Sequence, residues 1–193
     1  MSSCSGTVVM AVIAAALGLT IPVARAADIA VLAATCAACH GADGTPVSDT
    51  IPNIWGQKEG YIYIELRDMK SGARKNDLMA PIVASLSKDD MVNLAAYFSG
   101  KAWPRLKNAP STDIDAKIAG KLDTSIGCTA CHGAQYQGDS TVPRLAGQGS
   151  GYLATQMLAF RSNVRGNNPG MTALMKAADK ADLQAMAVFL GNL

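Results

Sequence analysis

Apolar side chains recur at helical spacing in four stretches of the chain, which form two matching pairs. The earlier member of each pair carries Tyr61, Ile62, Leu66 and Met69, or Tyr152, Leu153, Met157 and Phe160. The later member carries Met91, Leu94, Ala95 and Phe98, or Leu183, Met186, Ala187 and Leu190. Residues three, four, seven or eight positions apart lie on one face of an α-helix. The pattern therefore predicts four amphipathic helices, and no stretch alternates as a half-buried strand would.

Residues typical of helix starts support this assignment and add one more helix to each pair. Ser87 and Asp179 precede the later helices, and each has an aspartate three residues on, as an N-terminal cap favours. Further helices are predicted from about Asp28 and from about Thr112, each leading to a cysteine motif. Long segments rich in glycine, proline and asparagine separate the helices. The sequence therefore predicts an all-α fold with about three helices in each copy.

The two pairs belong to a tandem repeat. Cys36 and Cys128 are 92 residues apart, and the segment 51–57 (IPNIWGQ) resembles 142–148 (VPRLAGQ) at an offset of 91. Self-similarity at a fixed period indicates a duplicated structural unit, here of about 80 residues.

We expect the two copies to be separate domains, at residues 27–103 and 112–193. The linker, residues 104–111, contains Pro104 and Pro110. Prolines and basic residues in this region favour an exposed connector.

The first 26 residues are typical of a secretory signal peptide. An uncharged apolar run from Thr7 to Val23 ends at Ala24-Arg25-Ala26, which fits the small-x-small cleavage rule. Cleavage would also remove Cys4. The alternative is an uncleaved N-terminal membrane anchor, because residues 1–6 contain no lysine or arginine. An exported chain would reach an oxidising compartment, where unused cysteines tend to pair.

Composition narrows the function further. Aromatic residues make up 5% of the 193 residues and the formal net charge is +2, so no basic stripe indicates nucleic-acid binding. Two small domains built largely from small side chains would lack core volume. A large bound cofactor could supply what is missing.

All cysteines after the predicted leader, and both histidines of the chain, fall in two copies of one motif. The copies are Cys36-Ala-Ala-Cys39-His40 and Cys128-Thr-Ala-Cys131-His132. C-x-x-C-H is the attachment pattern of c-type haem. On a helical turn the two thiols can bond to the haem and the histidine can reach its iron. A zinc site built from both motifs, redox dithiols and disulfides remain as alternatives.

Methionines are the candidates for a second axial ligand, because both histidines are already used. Four of them, Met69, Met91, Met157 and Met186, lie on predicted apolar helix faces, where core packing is expected. Only Met79 and Met171 match each other in the repeat, each 39 residues after its histidine in a predicted loop. Met175 is the alternative for the second haem. Iron held by histidine and methionine leaves no open position, which favours electron transfer over catalysis.

With these motifs the chain resembles the dihaem class I cytochromes c, most closely the cytochrome c4 family. The matching segments are Cys-x-x-Cys-His-Gly twice, Asp43-Gly44, Leu145-Ala146-Gly147-Gln148, Tyr152-Leu153, Arg165, Met171 and 94–98 (LAAYF). The resemblance implies two tandem helical cytochrome c domains, two covalent haem c groups and no enzymatic activity of its own. It also implies a periplasmic carrier that serves respiratory oxidases. Pro52 and Pro143 match prolines whose carbonyls accept a hydrogen bond from the proximal histidine.

Partners and some residue roles stay open. The expected partners are redox proteins, namely a membrane donor and a terminal oxidase or periplasmic dehydrogenase, and peripheral membrane association is left open. The alternative function is the dihaem subunit of an enzyme complex, such as a flavin-dependent sulfide dehydrogenase. Arg74 and Arg165 could pair with haem propionates or be solvated loop residues. Copy one has Ile54-Trp55 where copy two has the family-like Leu145-Ala146, which would allow unequal haem potentials.

Overall fold

The structure is a computed structural model that describes Met1 and residues 24–193, with side chains from residue 29 onward. The predicted apolar leader, Thr7 to Val23, and Cys4 lie outside the described residues. From residue 24 to the end of the chain, no helix combines the length and the apolar character that a membrane crossing needs.

The described chain folds into helices joined by irregular segments, as the all-α prediction requires. The first half holds α1 (Ala24–His40), α2 (Glu59–Ser71), α3 (Ala80–Ala84) and α4 (Lys88–Ser99). The second half holds α5 (Asp113–Ile126), α6 (Cys128–His132), α7 (Ser150–Arg161), α8 (Pro169–Lys176) and α9 (Lys180–Gly191). Within residues 24–193 the β pairing amounts to an isolated bridge between Asp139 and Val142.

Each half has more helices than the three predicted. Short helices α3 and α8 occupy segments that the sequence analysis treated as loops. Both have proline in their first turn. Proline there has a suitable φ angle and loses no helical hydrogen bond. The prediction of a loop around each methionine is therefore wrong in detail, because Met79 is the N-cap of α3 and Met171 lies in the first turn of α8.

One glycine explains why the second copy splits its first helix. Gly127 has φ +70° and ends α5, after which α6 begins at Cys128. The position that matches Gly127 at the repeat offset of 92 is Thr35, which lies inside the continuous helix α1. A left-handed glycine is a common helix end. The haem motif therefore ends a long helix in copy one and forms a short helix of its own in copy two.

Each half of the chain has its own hydrophobic core. The first is centred on Val83, Leu94 and Ala95, and the second on Ala119, Leu183 and Leu190, all at most 1% exposed. The stripe methionines Met91, Met157 and Met186 are buried in these cores, and Met69 packs against the first. This confirms their predicted packing role.

Trp103, just before the predicted linker, and Asn108 within it both contact the second half of the chain. The ring of Trp103 lies against the Arg144 guanidinium, whose central carbon is 4.5 Å from the ring centroid. The side-chain amide of Asn108 donates to the Gly191 carbonyl at 2.7 Å and accepts from the Ser150 N–H at 2.9 Å. The connector is therefore packed against the second half of the chain.

Two equivalent helix starts differ in their caps, which gives a first testable prediction. Ser87 and Asp90 form a reciprocal capping box at the start of α4, whereas the Asp179 side chain makes no capping hydrogen bond to α9. We expect Ser87→Ala to lower the free energy of unfolding by about 1 kcal/mol, since an N-terminal N–H loses its acceptor. Thermal unfolding measured by circular dichroism would show this. Asp179→Ala is the matched control, and an equal loss there would contradict the assignment.

Candidate functional site

The two cysteine motifs lie at equivalent places in the two halves. Cys36 and Cys128 are partly buried and pack against the first and second cores, whereas Cys39 and Cys131 are exposed. All four are free thiols. Each pair therefore presents two sulfurs on one helical turn, one toward the core and one toward the surface.

Each motif histidine is held through one ring nitrogen. His40 Nδ1 lies 2.8 Å from the Pro52 carbonyl, and His132 Nδ1 lies 3.0 Å from the Pro143 carbonyl. A carbonyl can only accept, so Nδ1 carries the proton and donates in both cases. That tautomer leaves Nε2 with a lone pair, as a metal-binding imidazole requires. The role implied for the two prolines is therefore confirmed as a hydrogen bond in the structure.

Burial keeps these histidines neutral. Burial lowers the pKa of both His40 and His132, and the carbonyl acceptors Pro52 and Pro143 oppose this only in part. Neutral imidazole is the form that ligates iron.

The surroundings of the thiols argue against one zinc site shared by both motifs. Burial raises the pKa of the Cys36 thiol, and burial with the nearby Asp123 carboxylate raises that of Cys128 to about 11. Among the described residues, no three His, Cys, Asp or Glu side chains are grouped as a metal site would need. The convergence of both motifs that a shared zinc site requires is therefore not found there.

The candidate methionines Met79 and Met171 share one local hydrogen bond. Met79 N–H donates to Asn76 Oδ1 at 3.0 Å, and Met171 N–H donates to Asn168 Oδ1 at 3.0 Å. Both methionine side chains are partly buried and pack against their own cores. The sequence analysis did not assign Asn76 and Asn168, although their spacing of 92 residues was a usable signal.

Met175, the alternative ligand, has a structural role. It is 4% exposed within the second core, and its counterpart in copy one is Val83, 1% exposed within the first core. A residue that fills the same core position as a valine is packed rather than available. The structure therefore favours Met171 over Met175 as the candidate ligand.

Arg74 and Arg165 meet at the contact between the two halves. They are 7% and 6% exposed, so the interpretation as solvated loop arginines is wrong. Glu65 lies between them and accepts from both, at 2.7 Å from Arg74 Nη1. Partner groups from the opposite half complete the cluster, namely Tyr152 and Gln156 for Arg74 and Tyr61 for Arg165. Sequence reasoning missed Glu65, because its counterpart in copy two is Gln156 and the repeat does not mark it.

These residues fit covalent haem. Each half offers two free thiols on one turn, a neutral imidazole with Nε2 available and a methionine thioether fixed near its core. The same donor set occurs twice, and the residues described include no other histidine. Thioether bonds to the cysteines and axial bonds from nitrogen and sulfur are the chemistry of c-type haem.

Comparisons with known proteins agree with this chemistry. The Cytochrome c family profile matches residues 24–100 and 118–193. The thiosulfate dehydrogenase electron acceptor of Stutzerimonas stutzeri (strain A1501) is 34% identical over 172 residues, covering 83% of this chain and 80% of that protein. Cytochrome c4 of Azotobacter vinelandii is 32% identical over 182 residues, covering 83% of this chain and 85% of the relative.

A solved structure shows the same architecture. Reduced recombinant cytochrome c4 from Pseudomonas stutzeri superposes with a TM-score of 0.76 at 28% identity, covering 87% of this chain and 97% of that one. The family profile matches both halves of the chain, each half has an attachment motif, and the two-domain fold is shared with the solved structure. The chain belongs to the cytochrome c family, as a dihaem electron carrier of the cytochrome c4 type with haem c bound covalently at Cys36 and Cys39 and at Cys128 and Cys131.

Proposed function

We propose that this dihaem carrier works in the periplasm, where it takes single electrons from a membrane donor and passes them to a terminal oxidase. The observation that supports the carrier role most is the duplicated histidine–proline pair, because a fixed neutral imidazole on each iron suits electron transfer. The predicted leader, residues 1–26, supports export. The proposed domains are residues 27–103 and 112–193, with 104–111 as the linker.

The proposed axial ligands are His40 and Met79 for the first haem and His132 and Met171 for the second. Bound haem iron supplies reversible one-electron chemistry between ferrous and ferric states, and a methionine ligand raises its reduction potential. The chain's own residues hold each histidine in one tautomer and bond each methionine N–H to an asparagine side chain near the start of a short helix. Two occupied axial positions would leave no place for a substrate at iron.

Partner recognition is proposed to occur on exposed faces that bring one haem near a redox protein. The lysines of copy one and of the linker differ in how free their ammonium groups are. Lys70 donates to the carbonyls of Ala84 and Leu86, and Lys101 lies 4.0 Å from the Tyr97 ring centroid. Lys75, Lys88 and Lys107 are exposed. These three would be the cations available to an acidic partner or to peripheral membrane association.

A second candidate function is electron acceptor for a sulfur-oxidising dehydrogenase. It is supported by the relative that is named a thiosulfate dehydrogenase electron acceptor. This replaces the sulfide dehydrogenase of the sequence analysis with another sulfur enzyme but keeps the same class of role. Stopped-flow reduction of the ferric protein by a thiosulfate dehydrogenase with thiosulfate, compared with reduction by a quinol-oxidising membrane complex, would separate the two partners.

The proposed function has a direct spectroscopic test. Intact mass of the purified protein should show two covalent haems, and the ferric visible spectrum should show low-spin iron with a methionine–iron charge-transfer band. Redox titration should give two one-electron steps, and the ferrous protein should not bind carbon monoxide. High-spin iron or rapid carbon monoxide binding would contradict closed His/Met coordination and the carrier function.

A further inference from the structure

Gln57 and Gln148 are buried side chains that reach across the contact between the two halves. They are 4% and 2% exposed, and they occupy matching positions in the two copies. Each bonds to the backbone of one residue in the opposite half, Gln57 to Arg144 and Gln148 to Asn53. Arg144 and Asn53 also match each other in the repeat. The two glutamines therefore make the same contact in opposite directions.

The bonding geometry is the same on both sides. Gln148 Oε1 accepts from the Asn53 N–H at 2.8 Å, and Gln148 Nε2 donates to the Asn53 carbonyl at 2.9 Å. Gln57 Oε1 accepts from the Arg144 N–H at 2.8 Å, and Gln57 Nε2 donates to the Arg144 carbonyl at 2.9 Å. Each Oε1 also accepts a hydrogen bond from the N–H of the residue after the glutamine, Lys58 for Gln57 and Gly149 for Gln148. Every polar atom of both side-chain amides thus has a partner.

The peptide groups that the glutamines hold are the ones that bind the motif histidines. The Pro52 carbonyl and the Asn53 N–H belong to a single peptide group. Its oxygen accepts from His40 Nδ1 at 2.8 Å, while its N–H donates to Gln148 Oε1 at 2.8 Å. A continuous hydrogen-bond chain therefore runs from His40 to a side chain of the opposite half.

The second histidine has the mirror arrangement. The peptide group between Pro143 and Arg144 accepts from His132 Nδ1 at 3.0 Å and donates to Gln57 Oε1 at 2.8 Å. In each peptide group the proline supplies the carbonyl and the next residue supplies the N–H. The two hydrogen-bond chains, each from a histidine through one peptide group to a glutamine of the other half, are here called the cross-domain relays.

We propose that Gln57 and Gln148 are positioning residues that tune the reduction potential of the haem in the opposite domain through the cross-domain relays. The proposal rests on the proposed ligation of iron by His40 and His132. Gln148 acts on the first haem through His40, and Gln57 acts on the second through His132. Each domain thereby sets part of the electronic environment of the other.

The direction of the effect follows from polarisation. An acceptor on a peptide N–H makes the carbonyl oxygen of the same group more negative, because hydrogen bonds in a chain strengthen one another. A stronger carbonyl acceptor draws the Nδ1 proton and makes the imidazole a better electron donor. A better donor stabilises ferric iron, so each glutamine lowers the potential of the haem it reaches. Burial strengthens the effect, since Asn53 is 1% exposed and water cannot replace the amide.

Two leucine variants of the holoprotein test the proposal, with each haem followed separately by paramagnetic NMR during redox titration. In Gln148→Leu we expect the one-electron equilibrium of the first haem to shift two- to threefold toward the reduced form. This corresponds to a reduction potential higher by ~20–30 mV, at about 59 mV per tenfold change. The second haem should shift less than half as much. Gln57→Leu should give the reverse pattern. The control is Gln184→Leu on the exposed face of α9, which should move neither potential.

Amide hydrogen exchange supplies a readout that does not depend on the potentials. In Gln148→Leu, exchange at the Asn53 N–H should become about tenfold faster while the Arg144 N–H stays protected. If the leucine variant does not fold, Gln148→Glu replaces it. A side-chain oxygen facing the Asn53 N–H is then retained, so the first potential should stay at the wild-type value or fall.

Three results would overturn the cross-domain relays. The first is an equal shift of both haem potentials in each leucine variant. The second is faster exchange of the Asn53 N–H without a change in the potential of the first haem. The third is a rise of the potential of the first haem in Gln148→Glu. Each would mean that the glutamines only hold the domains together. Failure of the proposed His/Met ligation is distinguishable, because it appears in the spectrum of the unaltered protein.

Discussion

Met171→Ala is expected to remove the methionine–iron charge-transfer band from one of the two ferric haems and to leave the other intact. The band amplitude should fall to about half, and the second haem should become high-spin or bind an exogenous ligand. The reason is that Met171 is partly exposed, whereas the other methionines of the described second half, Met157, Met175 and Met186, are all buried in the core. Near-infrared absorption and electron paramagnetic resonance of the ferric protein would measure the loss.

Two further variants serve as controls for Met171→Ala, one at a core methionine and one at the matching position of the first copy. Met175→Leu keeps the volume of a core side chain, so it should retain the band and cost less than about 1.5 kcal/mol in stability. Met79→Ala should remove the other half of the band, because Met79 matches Met171 in the repeat and its N–H likewise bonds to an asparagine side chain. Loss of the band in Met175→Leu, with Met171→Ala unaffected, would show that the ligand assignment is wrong.

Glu65→Gln is expected to destabilise the protein by about 3 kcal/mol, the lower end of the cost of removing one partner from a buried ion pair. Glu65 bonds to both Arg74 and Arg165, and all three side chains are at most 10% exposed. The variant would leave two buried guanidinium groups facing neutral amides and phenols. Chemical denaturation of the holoprotein, followed by circular dichroism, would give the change in unfolding free energy.

The matched control lies on the same helix. Glu59 is in the exposed first turn of α2, so Glu59→Gln should change the unfolding free energy by no more than about 1 kcal/mol. A loss below about 1 kcal/mol for Glu65→Gln would contradict the prediction. It would indicate that another anion, such as a haem propionate, neutralises the two arginines.

Local spacing predicted the parts of the site that a single helical turn contains. The C-x-x-C-H order fixes which side chains share a face, so haem attachment followed from Cys36, Cys39 and His40 without any knowledge of the fold. The 92-residue offset separated Met79 and Met171 from the core methionines, and Val83 at the position of Met175 explains why that comparison was informative. Comparison of the two copies therefore singled out two candidate methionine ligands, which residue spacing within one copy could not do.

Helix boundaries near these residues were predicted less well. The sequence analysis expected loops around Met79 and Met171, but first-turn prolines in both short helices, and an asparagine cap in α8, start α3 and α8 there. It also expected one helix before the second motif, which Gly127 divides. Both errors have one cause: a single cap or a single left-handed glycine sets a helix end, and amphipathic periodicity does not detect it.

The sequence by itself determined that the chain is duplicated and that it attaches two haems through Cys-x-x-Cys-His motifs. These features depend on residues within one turn or on a fixed offset between copies. Only the tertiary structure decided what lies between the domains. Glu65, Arg74 and Gln148 acquire their roles from partners about 80–100 positions away in the chain, and no local pattern encodes such contacts, because docking of two folded surfaces selects them.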